Sequence, residues 1–259
     1  MAVIDVFAYN GEVDVLEIHL NVLDPYVDQF VIVEAPTTFS GQPKPLYYER
    51  DKARFSRFHP KIKYFVIDEA YSPEELAQAE SSPHTVGAAH WKHEFLQRES
   101  IKKALAHLGD DEIVYIGDVD ELWEPGTVLE SPVTKLHLRV YSYYLDNRSD
   151  EQFWGTITGK WGAIKGGCFN HLKMESPKTS AYNGWHFTSM GGYEEVKRKL
   201  EASYTRESYW TDQVERNLRS NVEGSRDFLG RGFKYSKDDS EWPQRLKENK
   251  EKYQHLCLK

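Results

Sequence analysis

Cysteine is scarce in this sequence, and its scarcity excludes a disulfide-stabilised fold. Only Cys168 and Cys257 are present among 259 residues. Two cysteines cannot form a disulfide framework, and neither lies in a Cys-x-x-Cys or Cys/His spacing that would bind zinc. Cysteine usage therefore favours the reducing environment of the cytoplasm.

Long apolar runs are also missing, which argues against a membrane-spanning helix. A span needs roughly 18 to 20 uninterrupted apolar residues, and no stretch of the chain approaches that length. The chain opens directly into Ala-Val-Ile-Asp-Val-Phe-Ala-Tyr, without the basic region of a secretory signal. We therefore expect a soluble cytoplasmic protein with no membrane span, signal peptide or anchor.

Positive charge is in deficit. The chain has 33 Lys and Arg against 41 Asp and Glu, a formal net charge of −8. Nonspecific binding to nucleic acid depends on clustered Lys and Arg that neutralise phosphates, so we expect no nucleic-acid partner. Any phosphate ligand must be bound by local groups.

The apolar content that is present can build a substantial core. Hydrophobic residues make up 39% of the chain and aromatic residues 14%, which suits a folded α/β protein. We find no internal repeat, no low-complexity tract and no clean linker that would divide the chain. The expected organisation is a single domain over residues 1–240, followed by a charged tail over residues 241–259.

Strand-like and helix-like segments alternate in the first half of the chain. Asn10 is placed to cap a helix whose apolar residues recur at helical spacing until Asp24-Pro25. Strands are expected over residues 2–8, 29–35, 62–67 and 113–118, and a helix over residues 91–108. This alternation predicts an α/β fold with a mostly parallel central sheet flanked by helices.

The second half of the chain follows another pattern. Residues 136–145 form a long aromatic segment that predicts a strand, residues 152–192 are rich in Gly, Trp and His, and residues 193–222 predict helices again. The helical segment brings Lys197 and Lys199 shortly after the glycine-rich region.

The apolar strand over residues 113–117 leads into three carboxylates, Asp118, Asp120 and Glu121. If the strand stays extended, Asp118 and Asp120 leave it on the same face while Val119 turns into the core. Paired carboxylates repel one another unless a cation compensates them, and Mg²⁺ or Mn²⁺ takes its remaining ligands from water and substrate phosphates. The pair predicts a metal site for a nucleotide diphosphate; a solvated surface turn explains the same residues equally well.

Other polar residues lie where neighbouring strands are expected to end. In parallel sheets ligands bind outside the carboxyl ends of the strands, where Tyr9, Asn10 and Glu34 would join Asp118. These four residues are therefore candidate ligand-binding residues.

Arg98 lies within the apolar arc of the helix expected over residues 91–108, and a buried arginine needs an anion. A substrate phosphate or a nucleotide edge at the strand ends can supply that anion, and so can Glu94, one helical turn earlier. The spacing of the residues leaves both alternatives open.

His186 lies in a short aromatic strand between Gly184 and Gly191-Gly192, which allow a ligand to approach closely. A neutral imidazole there could complete a metal shell, although histidines beside aromatic residues are more often ordinary core residues. On the following helix, Lys197 or Lys199 could neutralise a departing diphosphate, or both could simply face solvent.

Five motifs, in order along the chain, resemble glycosyltransferase family 17, which includes the β-1,4-mannosyl-glycoprotein 4-β-N-acetylglucosaminyltransferases. The resemblance runs from about residue 5 to about residue 232. The motifs are Phe7-x-Tyr9-Asn10-x-Glu12-x-Asp14-x-Leu16-Glu17, Val31-x-Val33-Glu34, Gln97-Arg98, Asp118-Val119-Asp120-Glu121 and Gly184-Trp185-His186-Phe187.

The resemblance implies a GT-A type nucleotide-diphospho-sugar transferase fold, a UDP-sugar donor, a divalent metal (Mn²⁺ or Mg²⁺) and inversion at the anomeric carbon. It further implies that Asp118 and Asp120 form the Asp-x-Asp metal motif and that His186 supplies a further metal ligand. About residues 1–125 would then bind the donor, and about residues 126–240 the acceptor glycan. The expected activity is transfer of a sugar, most simply GlcNAc, to a glycan hydroxyl.

An inverting transfer needs one carboxylate base and strong stabilisation of the leaving group. Arg98 or Lys199 would add positive charge as the diphosphate departs. The candidate bases are Asp212 and Glu207, which follow the histidine, and Asp146 at the end of the aromatic strand.

Sugar rings present apolar C–H faces, so tryptophans are candidate stacking surfaces as well as ordinary core residues. The candidate stacking residues are Trp154, Trp161 and Trp185.

The sequence departs from the family in two respects. It shows no membrane anchor of the kind that the animal Golgi members carry, so a glycoprotein acceptor is not expected. Thr205 stands where bacterial-looking relatives have a histidine, so any role of that histidine is lost or reassigned here.

Two rival functions share some of the same residues. An Asp-x-Asp phosphohydrolase normally places a small hydroxyl or glycine turn after the acids near the N-terminus, whereas Glu121-Leu122-Trp123 follow here in mid-chain. A noncatalytic carbohydrate-binding protein that holds Ca²⁺ would need six or more oxygen ligands, and the local sequence offers few.

Overall fold

The computed structural model describes residues 1–82, 89–127, 131–203 and 211–259. In these ranges nine strands form one sheet. The strands are β1 (Val3–Ala8), β2 (Gln29–Glu34), β3 (Ile62–Val66), β4 (Ile113–Asp118), β5 (Glu121–Trp123), β6 (Val133–Ser142), β7 (Asn147–Lys160), β8 (Lys178–Thr188) and β9 (Tyr235–Lys237).

Helices alternate with the strands in the first half of the chain and cluster in the second. They are α1 (Val13–Leu23), α2 (Tyr47–Asp51), α3 (Pro73–Ser81), α4 (Ala89–Glu99), α5 (Ile101–Ala104), α6 (Trp161–Ile164), α7 (Phe169–Glu175), α8 (Tyr193–Ser203), α9 (Asp212–Glu223) and α10 (Gln244–Glu248). Two 3₁₀ segments, Lys52–Lys61 and Lys250–Leu256, complete the set. Within the described ranges, none of the helices has the length and apolar character needed to cross a membrane.

Strands β3, β2, β1 and β4 lie side by side in that order and run parallel. Their apolar side chains alternate between the two faces of the sheet. Phe7 and Phe30 pack in the core cluster that contains α1, whereas Val6 and Val31 pack in the cluster that contains α5. Burial on both faces explains why these strands are almost wholly apolar, and it places their carboxyl ends at one edge of the sheet.

The rest of the sheet is mixed. Strand β7 runs antiparallel to β4 and to β6, β8 runs parallel to β6, and β5 runs antiparallel to β8. The expected α/β class is confirmed. A mostly parallel sheet is found only over the first four strands, because the short connection between β6 and β7 forces a hairpin.

The sheet curls on itself at the carboxylate segment. Only Val119 and Asp120 join β4 to β5, yet β5 pairs with β8 at the far end of the strand order. In that pairing Glu121 lies opposite His186. The curl therefore brings the second half of the chain against the carboxyl end of β4.

Two local predictions differ from the structure. Glu12, not Asn10, occupies the N-cap of α1, and no side chain caps the helix; instead the Asn10 N–H donates to Glu12 Oε2 over 3.0 Å. The helix expected over residues 91–108 divides into α4 and α5 at Ser100, whose hydroxyl donates to the Leu96 carbonyl over 2.9 Å.

The charged C-terminal tail packs into the main core. Trp242, Leu246, Tyr253 and Leu256 are buried in the same cluster as α1. The Leu145 N–H donates to the Leu256 carbonyl over 2.9 Å. The apolar positions are interspersed with long charged side chains that keep their charged ends in water, so composition alone hides this packing.

Candidate active site

A pocket of about 730 Å³ lies at the carboxyl ends of β1, β2 and β4. The polar residues that line it are Tyr9, Asn10, Glu12, Thr37, Thr38, Lys44, Gln97, Arg98, Asp118, Asp120, Lys199 and Ser203. Of the residues predicted to bind ligand or metal at the strand ends and beside them, this set lacks Glu34 and His186.

Asp118, the last residue of β4, is held by two cations. Arg98 donates to both of its carboxylate oxygens, over 2.9 and 3.2 Å, and Lys173 Nζ lies 3.1 Å from Oδ2. Burial alone would raise the pKa of the Asp118 carboxyl, but Arg98 and Lys173 outweigh burial and hold that pKa well below its usual range. Asp118 is therefore ionised at neutral pH and already paired within the protein.

The structure confirms the Arg98–Glu94 pair, one of the two alternatives that the sequence left open, and adds Asp118 as a second partner; binding of a substrate anion stays a prediction. Arg98 Nε donates to Glu94 over 3.0 Å, one turn earlier on α4, while its two terminal nitrogens reach Asp118 at the strand end. The side chain is 13% exposed. Arg98 thus joins α4 to the carboxylate segment as well as lining the pocket.

Asp120 has one oxygen paired with Lys199 and the other facing His186. Lys199 Nζ lies 2.5 Å from Oδ2, and His186 Nε2 lies 3.6 Å from Oδ1. Burial would raise the pKa of the Asp120 carboxyl, but Lys199 and His186 outweigh it and lower that pKa. A second ionised carboxylate therefore faces the pocket beside Asp118.

Two hydrogen bonds hold the backbone of Val119 and Asp120. The Val119 N–H donates to the Ala8 carbonyl over 3.2 Å, and the Phe187 N–H donates to the Asp120 carbonyl over 2.8 Å. The Val119 side chain is buried in the core, as predicted. Regular strand geometry nevertheless ends at Asp118, because the chain turns there to enter β5.

Asp120 and His186 form a two-donor set that a divalent ion could use. Mg²⁺ and Mn²⁺ are commonly held by one or two protein side chains together with substrate phosphates. In the described ranges, no group of three or more His, Cys, Asp or Glu side chains is placed to hold a metal by itself. Asp120 and His186 therefore fit an ion whose remaining ligands come from a diphosphate and water. The described side chains do not form a complete metal site by themselves.

The imidazole of His186 is held by packing. The Phe153 ring stacks on it with centroids 4.1 Å apart, and Nδ1 finds no hydrogen-bond partner among the described residues. Nε2 is therefore the ring nitrogen that faces Asp120.

Tyr9 and Asn10 bring unpaired polar atoms to the opposite wall. The Tyr9 hydroxyl and Asn10 Oδ1 are buried, and neither finds a hydrogen-bond partner in the part of the chain that the structure describes. A buried polar atom without a partner costs free energy that a ligand can recover. Both atoms are therefore suited to bind a ligand.

Glu34 lies behind the pocket. Its buried carboxylate accepts hydrogen bonds from Lys44 Nζ, the Tyr47 and Tyr48 N–H groups and the Tyr64 hydroxyl, at 2.7–3.1 Å. These contacts anchor the N-terminus of α2. The structure thus places Glu34 where it positions the lining residue Lys44.

Glu12 and Lys173 were not assigned a role by the sequence analysis. Glu12 belongs to the first family motif, which is the signal that could have pointed to it. Lys173, on α7, reaches Asp118 and also Glu121, at 3.1 and 3.2 Å. No local pattern marks Lys173, because its role arises only from the packing of α7 against the sheet.

Burial raises the pKa of the Glu12 carboxyl, and Asp120 raises it further, against the opposing effect of Lys199 and Arg198. The folded protein therefore binds a proton more tightly at Glu12 than the unfolded chain does, and stability falls as the pH rises from the ordinary pKa of 4.5 through the raised value. The ionised form of Glu12 therefore lowers the stability of the folded protein.

We expect Glu12→Gln to raise the melting temperature at neutral pH by a few degrees, because glutamine places no charge in the pocket wall and its amide oxygen can still accept the Asn10 N–H. Thermal melts of both proteins between about pH 4 and pH 8 provide the measurement. The gain should shrink towards the acid end. A variant that melts lower across the whole range would contradict the assignment.

The three candidate bases lie in different places. Asp146 is buried, its Oδ1 accepts the Leu258 N–H over 2.7 Å, and Lys237 lies 3.5 Å from Oδ2. Asp146 thus holds the C-terminal segment and does not line the pocket. Asp212 is exposed at the start of α9. Glu207, like Thr205, lies outside the described residues.

The three candidate stacking tryptophans do not line the pocket. Trp161 is a core residue, and Trp185 is buried with its indole N–H donating to the Glu241 carbonyl over 2.6 Å. Trp154 is stacked against His137, with centroids 4.3 Å apart, and Lys178 Nζ lies 4.6 Å from its ring centroid. Trp154 alone of the three borders an open cleft.

This second cleft, of about 990 Å³, lies between α4, α7 and the β6–β7 hairpin. It shares Arg98 with the first pocket, and its other wall includes Lys173. Its lining residues are Trp91, Glu94, Phe95, Arg98, Lys135, Phe153, Trp154, Asn170, Lys173 and Met174. The ion pairs of Asp118 with Arg98 and Lys173 therefore lie between residues of the first pocket and residues of the second cleft.

A comparison with protein-family models identifies a family that the chain matches. The protein-family model described as Glycosyltransferase family 17 matches residues 1–217 of the 259. The matched span contains every residue that lines the first pocket. A search of curated proteins finds no match.

Proposed function

The chain belongs to glycosyltransferase family 17, and from this membership we propose that it moves a sugar from a UDP-sugar donor to a hydroxyl of a glycan acceptor. We further propose a GT-A type of fold, dependence on Mn²⁺ or Mg²⁺, inversion at the anomeric carbon and GlcNAc as the transferred sugar. Family membership supports glycosyl transfer, and the pocket supports the finer assignments.

One observation carries the proposal. Two ionised carboxylates, Asp118 and Asp120, share a pocket wall with the cations Arg98 and Lys199 at the carboxyl ends of parallel strands. Carboxylates suit a divalent ion, and Arg and Lys suit phosphate oxygens. The same side chains can therefore bind both parts of a metal–diphosphate ligand.

The nucleoside is assigned to the wall formed by Tyr9 and Asn10. Uracil presents an N–H donor and carbonyl acceptors, which match the unpaired Asn10 Oδ1 and Tyr9 hydroxyl. Thr37 and Gln97 add further polar groups to the same pocket. With the nucleoside at Tyr9 and Asn10, the diphosphate of the donor would extend towards Lys199 and Arg98.

The leaving group is stabilised by positive charge in the pocket. A divalent ion, when bound by Asp120 and His186 with Asp118 beside them, would supply charge to the two phosphates. Lys199 and Arg98 can donate to phosphate oxygens as the bond from the anomeric carbon to UDP breaks and its electrons leave with UDP. Their charge compensates the charge that develops on the diphosphate.

The acceptor is assigned to the second cleft. Its aromatic lining suits the C–H faces of sugar rings, and its polar residues Glu94, Asn170 and Lys173 suit their hydroxyls. Phe153 links this cleft to His186 by its stacking contact. An acceptor hydroxyl entering from this side would approach the carboxylate segment next to the donor.

A carboxylate must accept the proton of that hydroxyl as its oxygen bonds to the anomeric carbon. We assign this role to Asp212 or Glu207. Asp146 is the weaker assignment, because Leu258 and Lys237 already engage its carboxylate. Loss of the base should lower kcat and leave UDP affinity unchanged, so Asp212→Asn and Glu207→Gln separate the candidates.

A thermal-shift experiment with UDP, with and without Mn²⁺, tests the proposal. At a UDP concentration about 100 times Kd, binding should stabilise the protein by about 2.7 kcal/mol, or roughly 5 to 10 °C. The shift should require Mn²⁺. Stabilisation by glycans but not by UDP would indicate a binding protein, and phosphate release from simple monoesters would indicate a phosphohydrolase; either result would overturn the transferase assignment.

A further inference from the structure

A buried histidine, His19, lies beneath the carboxylate segment. It belongs to α1 and is 1% exposed, packed between Phe7 and Phe30 with ring centroids 4.4 and 6.4 Å away. A polar side chain in so apolar a place needs hydrogen-bond partners. Both of its ring nitrogens have one.

The two partners of His19 are Asp5 and Val119. Nε2 lies 2.6 Å from Asp5 Oδ2, on the central strand β1, and Nδ1 lies 2.8 Å from the Val119 carbonyl oxygen. Val119 is the residue between Asp118 and Asp120. The ring therefore connects the middle of the sheet to the peptide group that separates the two acids.

The chemistry of these partners fixes where hydrogens must lie. A carbonyl oxygen can only accept, so Nδ1 must carry a hydrogen. The Nε2–Asp5 contact then needs a second hydrogen, on the ring or on the carboxyl group. An apolar residue of the same size would leave both the Asp5 carboxylate and the Val119 carbonyl without this partner.

We propose that His19, held by Asp5, is a positioning residue that sets the backbone of the Asp118–Asp120 segment for ligand binding. With His19 in place, both peptide groups of Val119 are anchored, the N–H by Ala8 and the carbonyl by His19. The Asp118 and Asp120 side chains project from this fixed point. The part of the inference that concerns ligands rests on the proposed function.

The test uses a double variant, His19→Phe with Asp5→Val, because the single His19→Phe change would bury an unpaired carboxylate. The matched control is Leu20→Ala, the next residue of α1, which is buried in the same core cluster and whose apolar side chain cannot hydrogen-bond to the Val119 carbonyl. Both variants should lower the melting temperature. The double variant alone should weaken Mn²⁺-dependent UDP binding, by about 10-fold or more, and lower kcat more than it changes KM.

A second readout needs no ligand. Hydrogen exchange of the backbone over residues 117–122 should quicken in the double variant and not in Leu20→Ala. His19→Gln, which keeps an N–H donor for the Val119 carbonyl, should recover part of the protection. Equal changes in the double variant and in Leu20→Ala, in exchange and in affinity, would overturn the proposal. If the unmodified protein failed to bind UDP, the proposed function would fail while hydrogen exchange still decided the positioning role.

Discussion

An Asp120→Asn variant is expected to lose sugar transfer by about 1,000-fold and to lose Mn²⁺-dependent binding of UDP. Asp120 presents one oxygen to Lys199 and the other to His186, so no other described side chain joins the same two groups. An amide carries no charge to attract a divalent ion. Titration calorimetry with UDP in the presence and absence of Mn²⁺ measures the loss directly, and unchanged affinity would remove Asp120 from the site.

The same substitution should also reduce stability. The pocket acids are compensated by cations in the folded protein, so removing the charge of Asp120 leaves Lys199 without its charged partner. We expect a cost of about 1–3 kcal/mol. Because the pKa of Asp120 is lowered in the fold, its stabilising contribution is complete above the ordinary pKa of 3.8 and is lost as the pH falls through the lowered value.

Asp111→Asn is the matched control for Asp120→Asn. Asp111 also pairs with a lysine, Lys160, over 2.8 Å, but both side chains are well exposed. Water and salt screen a surface pair of this kind, so it contributes little to stability. The control should therefore melt close to the unmodified protein and keep its UDP affinity, which isolates the effect of the pocket from that of removing any ion pair.

A Lys199→Met variant is expected to lose about 100-fold in kcat while binding Mn²⁺ more tightly when no nucleotide is present. Lys199 occupies the Oδ2 side of Asp120 at 2.5 Å, where it competes with an incoming cation. Methionine keeps the length of the side chain without its charge. Calorimetric titration of Mn²⁺ alone, together with steady-state transfer kinetics, measures the two opposite effects.

Lys197→Met serves as the control on the same helix. Lys197 is 38% exposed and lies 4.0 Å from Glu201. Its replacement should therefore change neither kcat nor the affinity for Mn²⁺. Weaker binding of Mn²⁺ to Lys199→Met, or an unchanged kcat, would show that Lys199 has no part in balancing the charge of the pocket.

The sequence predicted the part of the site that depends on strand periodicity. A buried strand that ends in Asp118 and Asp120, with Val119 in the core, follows from the alternation of side chains along an extended chain. Tyr9 and Asn10 were expected at the same edge, because the carboxyl ends of parallel strands meet there, and both line the pocket. These predictions needed only local patterns and one rule of sheet topology.

The cations that compensate the acids could not be predicted in the same way. The chain has 33 lysines and arginines, and nothing in the local pattern marks Lys173 as the one that contacts Asp118. Likewise, Glu34 occupies a strand end as expected, but whether such a side chain faces the pocket or α2 depends on how the segment after β2 packs. Contacts of this kind depend on tertiary packing, which sequence spacing does not determine.

The pairing of β5 with β8 also determines when, during synthesis, the residues of the proposed metal site come together. Asp118 and Asp120 leave the ribosome well before His186, and the three meet only when β5 finds its distant partner strand. An incomplete chain therefore carries the acids without the histidine. If the histidine is needed to activate the donor, nascent and truncated chains do not turn over UDP-sugars. Only completely synthesised and folded chains then consume the donor.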